Sequence, residues 1–280
     1  MNKFKFFLAL VAICAGLASC TECNKTEEVD DIQLNTDTIP QDSLAELLLF
    51  DKPQVPESVD ANFDDFLYTF ITDQEFFDKR VTFPLDMDDN GTATKISKAQ
   101  WKEAEKIKNM ELMAFIYTND ADLRYLKSDT LKEVLLEFVD LKNLSTDKYL
   151  FRTDGDWKLV KRIKTEKVDD KYQEFTQFYS QFISDSVFQC GSVSQTLTLV
   201  SINEGEMDEG GVSKIKREEW PEFHSQMPMP EDEIVILEYG QDIASKNDFN
   251  LLVRSVSQPL FVTYKFKRVG RKWMLHTIEF

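Results

Sequence analysis

Residue types that commonly carry out catalysis are scarce in this chain. Its two histidines are His224 and His276. His276 follows Leu275 in an alternating segment, where it would face either a pocket or solvent, and His224 is expected in a loop or on a helix surface. The motifs G-x-S-x-G, H-E-x-x-H, G-x-G-x-x-G and the Walker loop are absent from the sequence. The sequence therefore predicts no catalytic residue and no cofactor.

One acidic segment begins like a calcium-binding loop. Asp86, Asp88 and Asn90, followed by Gly91, fit the opening D-x-D-x-N-G of such a loop. Position twelve, however, is Ser97, where a calcium loop needs a bidentate glutamate. A hydrated hairpin loop that binds no metal tightly is the favoured interpretation, and calcium is the alternative.

Two aspartates occur at matching places in the chain. Asp73 follows Thr72 and Asp185 follows Ser184, each at the junction of two predicted helices. A duplicated aspartate could be a catalytic acid, but aspartate at a helix junction commonly accepts hydrogen bonds from the first backbone N–H groups. We therefore predict that Asp73 and Asp185 are helix caps.

The amino-terminal residues are typical of an export signal. Lys3 and Lys5 precede an apolar run that is too short to span a bilayer. The run ends in Leu-Ala-Ser-Cys at residues 17–20, which is similar to a bacterial lipobox. This similarity implies a signal peptide over residues 1–19 and acyl chains on Cys20. An ordinary secretory signal, which would leave a soluble protein, is the alternative.

Thr21 follows the predicted lipidated cysteine, so the sequence does not resemble an inner-membrane retention signal, and an outer-membrane lipoprotein facing the periplasm or the cell surface is expected. Residues 20–61 form a predicted acidic tether, which as a flexible coil would span roughly 35 Å. Of the other cysteines, Cys23 lies beside the anchor and Cys190 lies far along the chain, and a disulfide between them would pin the tether.

The charge balance excludes one class of partner. The chain has 33 basic and 50 acidic residues, so removal of Lys3 and Lys5 leaves 31 − 50 = −19. Nucleic acid requires a basic surface, and none is expected here. The expected partners are the membrane, through Cys20, and a small molecule, a peptide or an envelope protein.

The second half of the chain repeats the first, and each tryptophan has a counterpart. Trp101 matches Trp220 at an offset of 119, and Trp157 matches Trp273 at an offset of 116. At an offset of 112, the first set of residues matches the second: Phe63, Phe66, Phe70, Asp73 and Phe76 with Phe175, Phe178, Phe182, Asp185 and Phe188. A period above 100 residues indicates duplicated globular domains. We predict domains at 62–165 and 168–280, joined by a linker short enough for them to touch.

Each repeat begins with a predicted helix and ends with a predicted hairpin. The first three phenylalanines of each set recur at i, i+3 and i+7, which gives one apolar helix stripe. Asp154-Gly155 and Gly270 interrupt alternating apolar segments near the end of each repeat, as hairpin turns do. Helices followed by long antiparallel strands indicate an α+β fold.

Together these elements resemble the NTF2-like cone, in which a curved antiparallel sheet wraps a helix. The patterns F-x-x-F-x-x-x-F-x-x-D-x-x-F, V-x-F-P-L and K-I-x-K-x-x-W also resemble a family of Bacteroidetes lipoproteins built from such repeats and without an assigned function. The resemblance covers about residues 62–280 and implies two tandem NTF2-like cone domains behind a lipoprotein signal and tether.

The function predicted from sequence is a cell-envelope lipoprotein that acts as a non-enzymatic binding or interaction module. The alternative is an enzyme whose NTF2-like pocket acts on a small apolar molecule. A deep pocket with a buried carboxylate beside a tyrosine or histidine would favour the enzyme, and a cone filled by phenylalanines would favour the module. Five residues are candidates for the pocket or core: Trp101, Trp157, Trp220, Trp273 and His276.

Overall fold

The structure, a computed structural model, describes residues 58–101, 107, 112–201, 211–241, 247–256 and 261–280. The predicted signal peptide, Cys20 and nearly all of the predicted tether lie outside these residues. The first half of the described chain is residues 58–165, and the second half is residues 168–280.

Within the described residues, each half begins with two α-helices and contains six strands with further helical turns between them. The first half contains α1 (Phe63–Thr72), α2 (Gln74–Lys79), β1 (Val81–Asp89), β2 (Thr92–Ile96), β3 (Leu112–Tyr117), α3 (Asp120–Tyr125), β4 (Glu133–Asp140), β5 (Thr146–Thr153) and β6 (Trp157–Thr165). The second half contains α4 (Asp170–Ser184), α5 (Ser186–Gly191), β7 (Val193–Val200), β8 (Val212–Lys216), a 3₁₀ turn (Arg217–Glu219), α6 (Trp220–His224), β9 (Glu233–Glu238), β10 (Asp248–Ser255), β11 (Phe261–Val269) and β12 (Lys272–Glu279).

Local sequence explains where the helices begin. Asn62 caps α1 by accepting a hydrogen bond from the backbone N–H of Asp65 at 2.9 Å. Asp73 accepts from the N–H of Phe76 at the start of α2, and Asp185 accepts from the N–H of Phe188 at the start of α5. The predicted capping role of the duplicated aspartates is therefore confirmed.

Hairpin turns follow their sequence signals. Asn90 (φ 48°) and Gly91 (φ 86°) connect β1 to β2, and positive φ at two central residues is what an Asn-Gly turn supplies at little steric cost. Gly155 and Gly270 also have positive φ, at the predicted turns between β5 and β6 and between β11 and β12.

All twelve strands belong to one curved sheet. Their order is β2-β1-β6-β5-β4-β9-β3-β10-β11-β12-β7-β8. The pairs β1–β6, β7–β12 and β3–β9 are parallel, and the other neighbours are antiparallel. The short edge strands β2 and β8 carry lysines and are mostly exposed, which discourages further strand pairing.

Helices cover opposite faces of this sheet. In the first core, the phenylalanines of α1 pack on β4, β5 and β6, and in the second core those of α4 pack on β10, β11 and β12. The two centres of aromatic packing have the same geometry. Phe63 lies 5.0 Å from Trp157, and its counterpart Phe175 lies 5.3 Å from Trp273, between ring centroids.

The two halves contribute strands to each other's cores. The connection between them is short, since β6 ends at Thr165 and α4 begins at Asp170. β9 of the second half contributes Val235 and Leu237 to the first core. Reciprocally, β3 of the first half contributes Ala114 and Ile116 to the second core. The two halves therefore share strands and do not merely touch.

The buried tryptophans predict a stability test. Trp157 is 1% exposed and Trp273 is 4% exposed, whereas Trp101 is only partly buried. Replacing Trp157 or Trp273 by alanine should lower the free energy of unfolding by about 3–5 kcal/mol, because each leaves a large cavity. Trp101→Ala is the control and should cost less. Urea unfolding followed by circular dichroism measures all three, and an equal loss for Trp101→Ala would contradict this assignment.

Candidate functional site

Aromatic side chains fill the space between helix and sheet in each half. In the first half, Phe151 meets Phe63, Phe66 and Phe70 at centroid distances of 5.6, 5.7 and 5.3 Å. In the second half, Phe266 meets the three matching rings of α4 at 5.5, 5.8 and 5.5 Å. Close-packed rings of this kind form a core and fill the space that they surround.

The candidate tryptophans divide between core and periphery. Trp157, Trp220 and Trp273 belong to the buried cores. The indole N–H of Trp220 donates to the Gln189 side chain at 3.2 Å, which satisfies a buried donor. Trp101 packs against Phe83 at the margin of the first core with a ring separation of 6.2 Å.

His276 stands in a bulge of β12. Pairing between β11 and β12 shifts between Lys265 and Phe266, so His276 has no direct partner on β11. Its Nδ1 lies 2.8 Å from the Thr277 hydroxyl oxygen. Burial, together with the positive charges of Lys267 and Lys265, lowers the pKa of His276 to about 4. His276 is therefore neutral at physiological pH and is held by its strand neighbours.

The second histidine is also accounted for by packing. His224 ends α6, its ring centroid lies 5.1 Å from that of Trp220, and its Nε2 lies 3.4 Å from the Gln189 amide nitrogen. Burial lowers the pKa of His224. The two histidines therefore do not form a common site, because each contacts its own set of neighbours.

The candidate calcium residues are engaged in a hairpin. Asp86 pairs with Lys95 at 3.1 Å, and Asp88 accepts the backbone N–H of Gly91 at 2.8 Å. The side chain of Asn90 accepts the N–H of Glu166 at 3.1 Å. Within the described part of the chain, no three or more His, Cys, Asp or Glu side chains come together to hold a metal ion. These contacts make the segment an ordinary turn, and its lack of tight metal binding stays a prediction.

A buried polar cluster lies on the apolar face of β5. Asp147 accepts two hydrogen bonds from the Arg162 guanidinium, at 2.8 and 2.6 Å, and one from the Tyr149 hydroxyl at 3.0 Å. Burial and the Asp147 charge raise the pKa of Tyr149. The cluster combines a carboxylate with a phenol, but the guanidinium occupies both carboxylate oxygens, so a free base is lacking. Sequence reasoning missed it, although Asp147, Tyr149 and Phe151 alternate onto one strand face.

A second feature appears where the two halves meet. The central strands β3 and β9 are parallel, so they end at the same edge of the sheet, at Tyr117 and Glu238. A partly enclosed recess of about 10 Å³ lies there, which is room for about one water molecule. We call it the junction recess, and it is lined by Phe115, Ile116, Tyr117, Thr118, Leu123, Leu126, Tyr172, Leu237, Tyr239 and Gln241.

Charged pairs border the junction recess. Glu238 pairs with Lys171 at 2.9 Å, and the fully buried Glu137 pairs with Lys148 at 2.9 Å. Burial raises the pKa of Glu137, although the Lys148 ammonium opposes this shift. Burial, followed by the charges of Glu238, Glu137 and Asp169, raises the pKa of Tyr172. Tyr172 therefore stays protonated at neutral pH and can donate a hydrogen bond.

The junction recess opens beside an exposed pair of aromatic rings. Its lining is mainly aromatic and aliphatic, and Tyr125 extends it by stacking on Tyr239 with a centroid separation of 5.3 Å. Tyr125 is 43% exposed and is among the large apolar side chains that face solvent. A partly exposed pair of tyrosines beside buried leucines is a surface on which an apolar or aromatic group could pack.

Comparison with known proteins places this architecture in a family. Residues 41–279 match the family model described as a domain of unknown function, DUF4348. The chain belongs to the DUF4348 family. A solved structure of an NTF2-like protein from Bacteroides fragilis NCTC 9343 superposes with a TM-score of 0.70 at 23% identity, covering 80% of this chain and 97% of that one. No curated protein matched the chain.

These findings support an NTF2-like fold for this DUF4348 protein. The identity of 23% to the Bacteroides fragilis structure carries the fold and nothing about ligands or activity. The predicted α+β class and NTF2-like likeness are therefore supported, and function has to be argued from the site.

The second half of the chain suggests how to test the contribution of the Glu137–Lys148 pair to stability. Strand pairing places Glu137 opposite Lys148 in the first half and Leu252 opposite Thr263 in the second half, at an offset of 115 in both strands. Lys148→Thr should destabilise the protein by about 3–5 kcal/mol, because it leaves a buried carboxylate unpaired. The double change Glu137→Leu with Lys148→Thr should be neutral or stabilising. The urea midpoints of wild type, Lys148→Thr and the double variant measure these changes. A double variant that is no more stable than Lys148→Thr would contradict the prediction.

The lowered pKa of His276 sets a pH dependence. The folded state binds this proton more weakly than the unfolded state, in which the pKa of histidine is near its ordinary value of 6.5. Stability from His276 is therefore present above about pH 6.5 and is lost as the pH falls through about 4. His276→Gln should flatten this part of the stability profile. NMR titration of the imidazole C2 proton gives the pKa directly, and a value near 6.5 for His276 would refute the prediction.

Proposed function

We propose that this DUF4348 protein is a cell-envelope lipoprotein whose two NTF2-like repeats form a non-enzymatic binding module. One observation carries the non-enzymatic part. The space between helix and sheet, where an NTF2-like enzyme on a small apolar molecule would need a pocket, is occupied by the protein's own phenylalanines and tryptophans around Phe151 and Phe266.

Duplication is supported by matching contacts. Phe66 lies 6.1 Å from Trp157 and 5.9 Å from Phe76, and the corresponding distances from Phe178 to Trp273 and Phe188 are 6.3 and 5.8 Å. Independent evolution of two such clusters would not place equivalent rings in the same order along the chain. We therefore infer tandem repeats, with boundaries near residues 62–165 and 168–280.

The envelope location rests on several features of the chain. The lipobox-like residues before Cys20 favour lipidation there, and several acyl chains would hold the protein firmly on a membrane. Cys190 is disulfide-bonded, which suits an oxidising compartment outside the cytoplasm. Among the described residues, no helix is both long and apolar enough to cross a membrane. Outer-membrane placement, facing the periplasm or the surface, is the proposal.

The binding site that we propose is the junction recess. It contains residues from both halves, so it exists only in the folded pair, and Tyr125 and Tyr239 offer it an accessible aromatic wall. The expected ligand is a small molecule, a peptide or an envelope protein that packs an apolar or aromatic group against the exposed tyrosines beside the recess. The charged pairs at the border of the recess would orient a bound ligand more than they would increase its affinity.

The alternative function is an enzyme acting on a small apolar molecule. Asp147 beside Tyr149 is the observation that favours it, because a buried carboxylate next to a phenol is a common acid–base arrangement. Catalysis by Asp147 would require Arg162 to release at least one of the two hydrogen bonds that it donates.

The membrane anchor is tested by one substitution. Cys20→Ala should leave an uncleaved precursor or release the protein from the membrane fraction, because the acylated sulfur is gone. Fractionation and fatty-acid labelling measure this, and Cys23→Ala is the control for these two readouts only, because Cys23 is one of the cysteines that could pair with Cys190. A Cys20→Ala protein that still labels and sediments with membranes would refute lipidation at Cys20.

The binding proposal is tested on protein purified from its native envelope. Mass spectrometry should detect a co-purifying molecule in wild type, and Tyr125→Ala combined with Tyr239→Ala should abolish it. Tyr68→Ala removes an equally exposed tyrosine from α1 and should retain the molecule, since Tyr68 is 47% and Tyr125 43% exposed. Retention in the double variant together with loss in Asp147→Asn would instead support a site in the first half.

A further inference from the structure

The centre of the sheet does not follow the order expected for two complete repeats. β3 and β9 are the third strands of their halves, and β4 and β10 are the fourth strands. In a self-contained half the third strand would pair with its own fourth strand. Here β4 pairs with β9, and β10 pairs with β3. Each fourth strand therefore has the third strand of the other half beside it.

Both crossed pairings have the same register. Asp140 of β4 is opposite Glu233 of β9, and Ser255 of β10 is opposite Leu112 of β3. The fourth-strand residues differ by 255 − 140 = 115 positions, and the third-strand residues differ by 233 − 112 = 121 positions. The same two differences relate every other pair in the two ladders, so one pairing is the repeat of the other.

The faces of the exchanged strands agree with this symmetry. Met113 and Phe115 of β3 lie in the first core, and Ala114 lies in the second. Their counterparts at an offset of 121, Ile234 and Ile236, lie in the second core, and Val235 lies in the first. Two parallel strands related by a twofold axis along their own direction must present opposite faces in this way.

We propose that the two repeats have reciprocally exchanged their third strands, and that this internal strand exchange makes the two halves one inseparable folding unit. The proposal rests on the tandem repeats inferred above. Each exchanged strand has neighbours on both edges and a core on both faces, so separating the halves requires opening both cores together. Because β3 and β9 are adjacent and parallel, the opposite order of these two strands would leave the rest of the sheet unchanged. The observed order is therefore one of two possible arrangements.

Engineered cysteines distinguish the two orders in the full-length protein. Paired strand residues have Cα atoms about 4.5–5.5 Å apart, within the range of a disulfide, whereas residues two strands apart are roughly 9–10 Å apart. Ser255→Cys with Leu112→Cys should cross-link nearly completely under mild oxidation. Ser255→Cys with Glu233→Cys should not, although it would in the unexchanged order. Peptide mapping by mass spectrometry reads out both.

The reverse result, or cross-linking in neither variant, would overturn the exchange. These measurements need no ligand, so their failure would leave the binding-module proposal standing, and loss of the binding site would leave the exchange untouched.

Cleavage between the halves tests the inseparable unit. A specific protease site inserted between Glu166 and Lys167 allows the full chain to be cut after folding. The experiment uses a Cys190→Ser background, because the native disulfide of Cys190 would otherwise join the fragments. In this background the two fragments should co-elute in native size-exclusion chromatography, unfold in one transition and separate only in denaturant. Fragments that separate in native buffer, or two resolved unfolding transitions before cleavage, would refute it. The Ser255→Cys with Leu112→Cys variant is the control, because its fragments should stay covalently joined even in denaturant.

Discussion

The structure depends on two adjacent central strands, each paired on both edges and packed against a core on both faces. β3 and β9 are paired on both edges and send alternate side chains into different cores. Backbone groups at the centre of a sheet are satisfied only while both neighbours stay in place. The helix layers on opposite faces, the shared strands of the two cores and the junction recess at the strand ends all depend on this central pair.

The interiors of the two halves have similar aromatic packing but differ in their buried polar residues. The rings around Phe151 and Phe266 are nearly superposable, yet the first half holds Asp147 with Arg162 where the second half has Val262 and Ile278, all four being buried. Buried ion pairs are often no more stabilising than well-packed apolar residues. The two halves therefore have a similar aromatic packing scheme but different buried polar residues.

The aromatic side chains that fill each cone occupy volume that a substrate would need. Substrate binding requires empty volume beside a reactive group, and in this protein the volume beside Phe63, Phe66 and Phe70 is taken by other rings of the chain. The binding site that we propose therefore lies where the packing of the two halves is less complete, at the ends of β3 and β9.

The sequence alone determined the helix caps and the hairpin turns, because these depend on residues close together in the chain. The phenylalanine stripe of α1, the capping by Asp73 and Asp185 and the turn at Gly155 are of this kind. Strand alternation could also have revealed Asp147 on an apolar face. Tertiary structure alone decided that β4 pairs with β9 and β10 with β3, and hence where Tyr117, Tyr172 and Tyr239 meet. Both third strands are short, apolar and suited to burial on two faces, so local pattern cannot distinguish the strand of one repeat from that of the other as a neighbour.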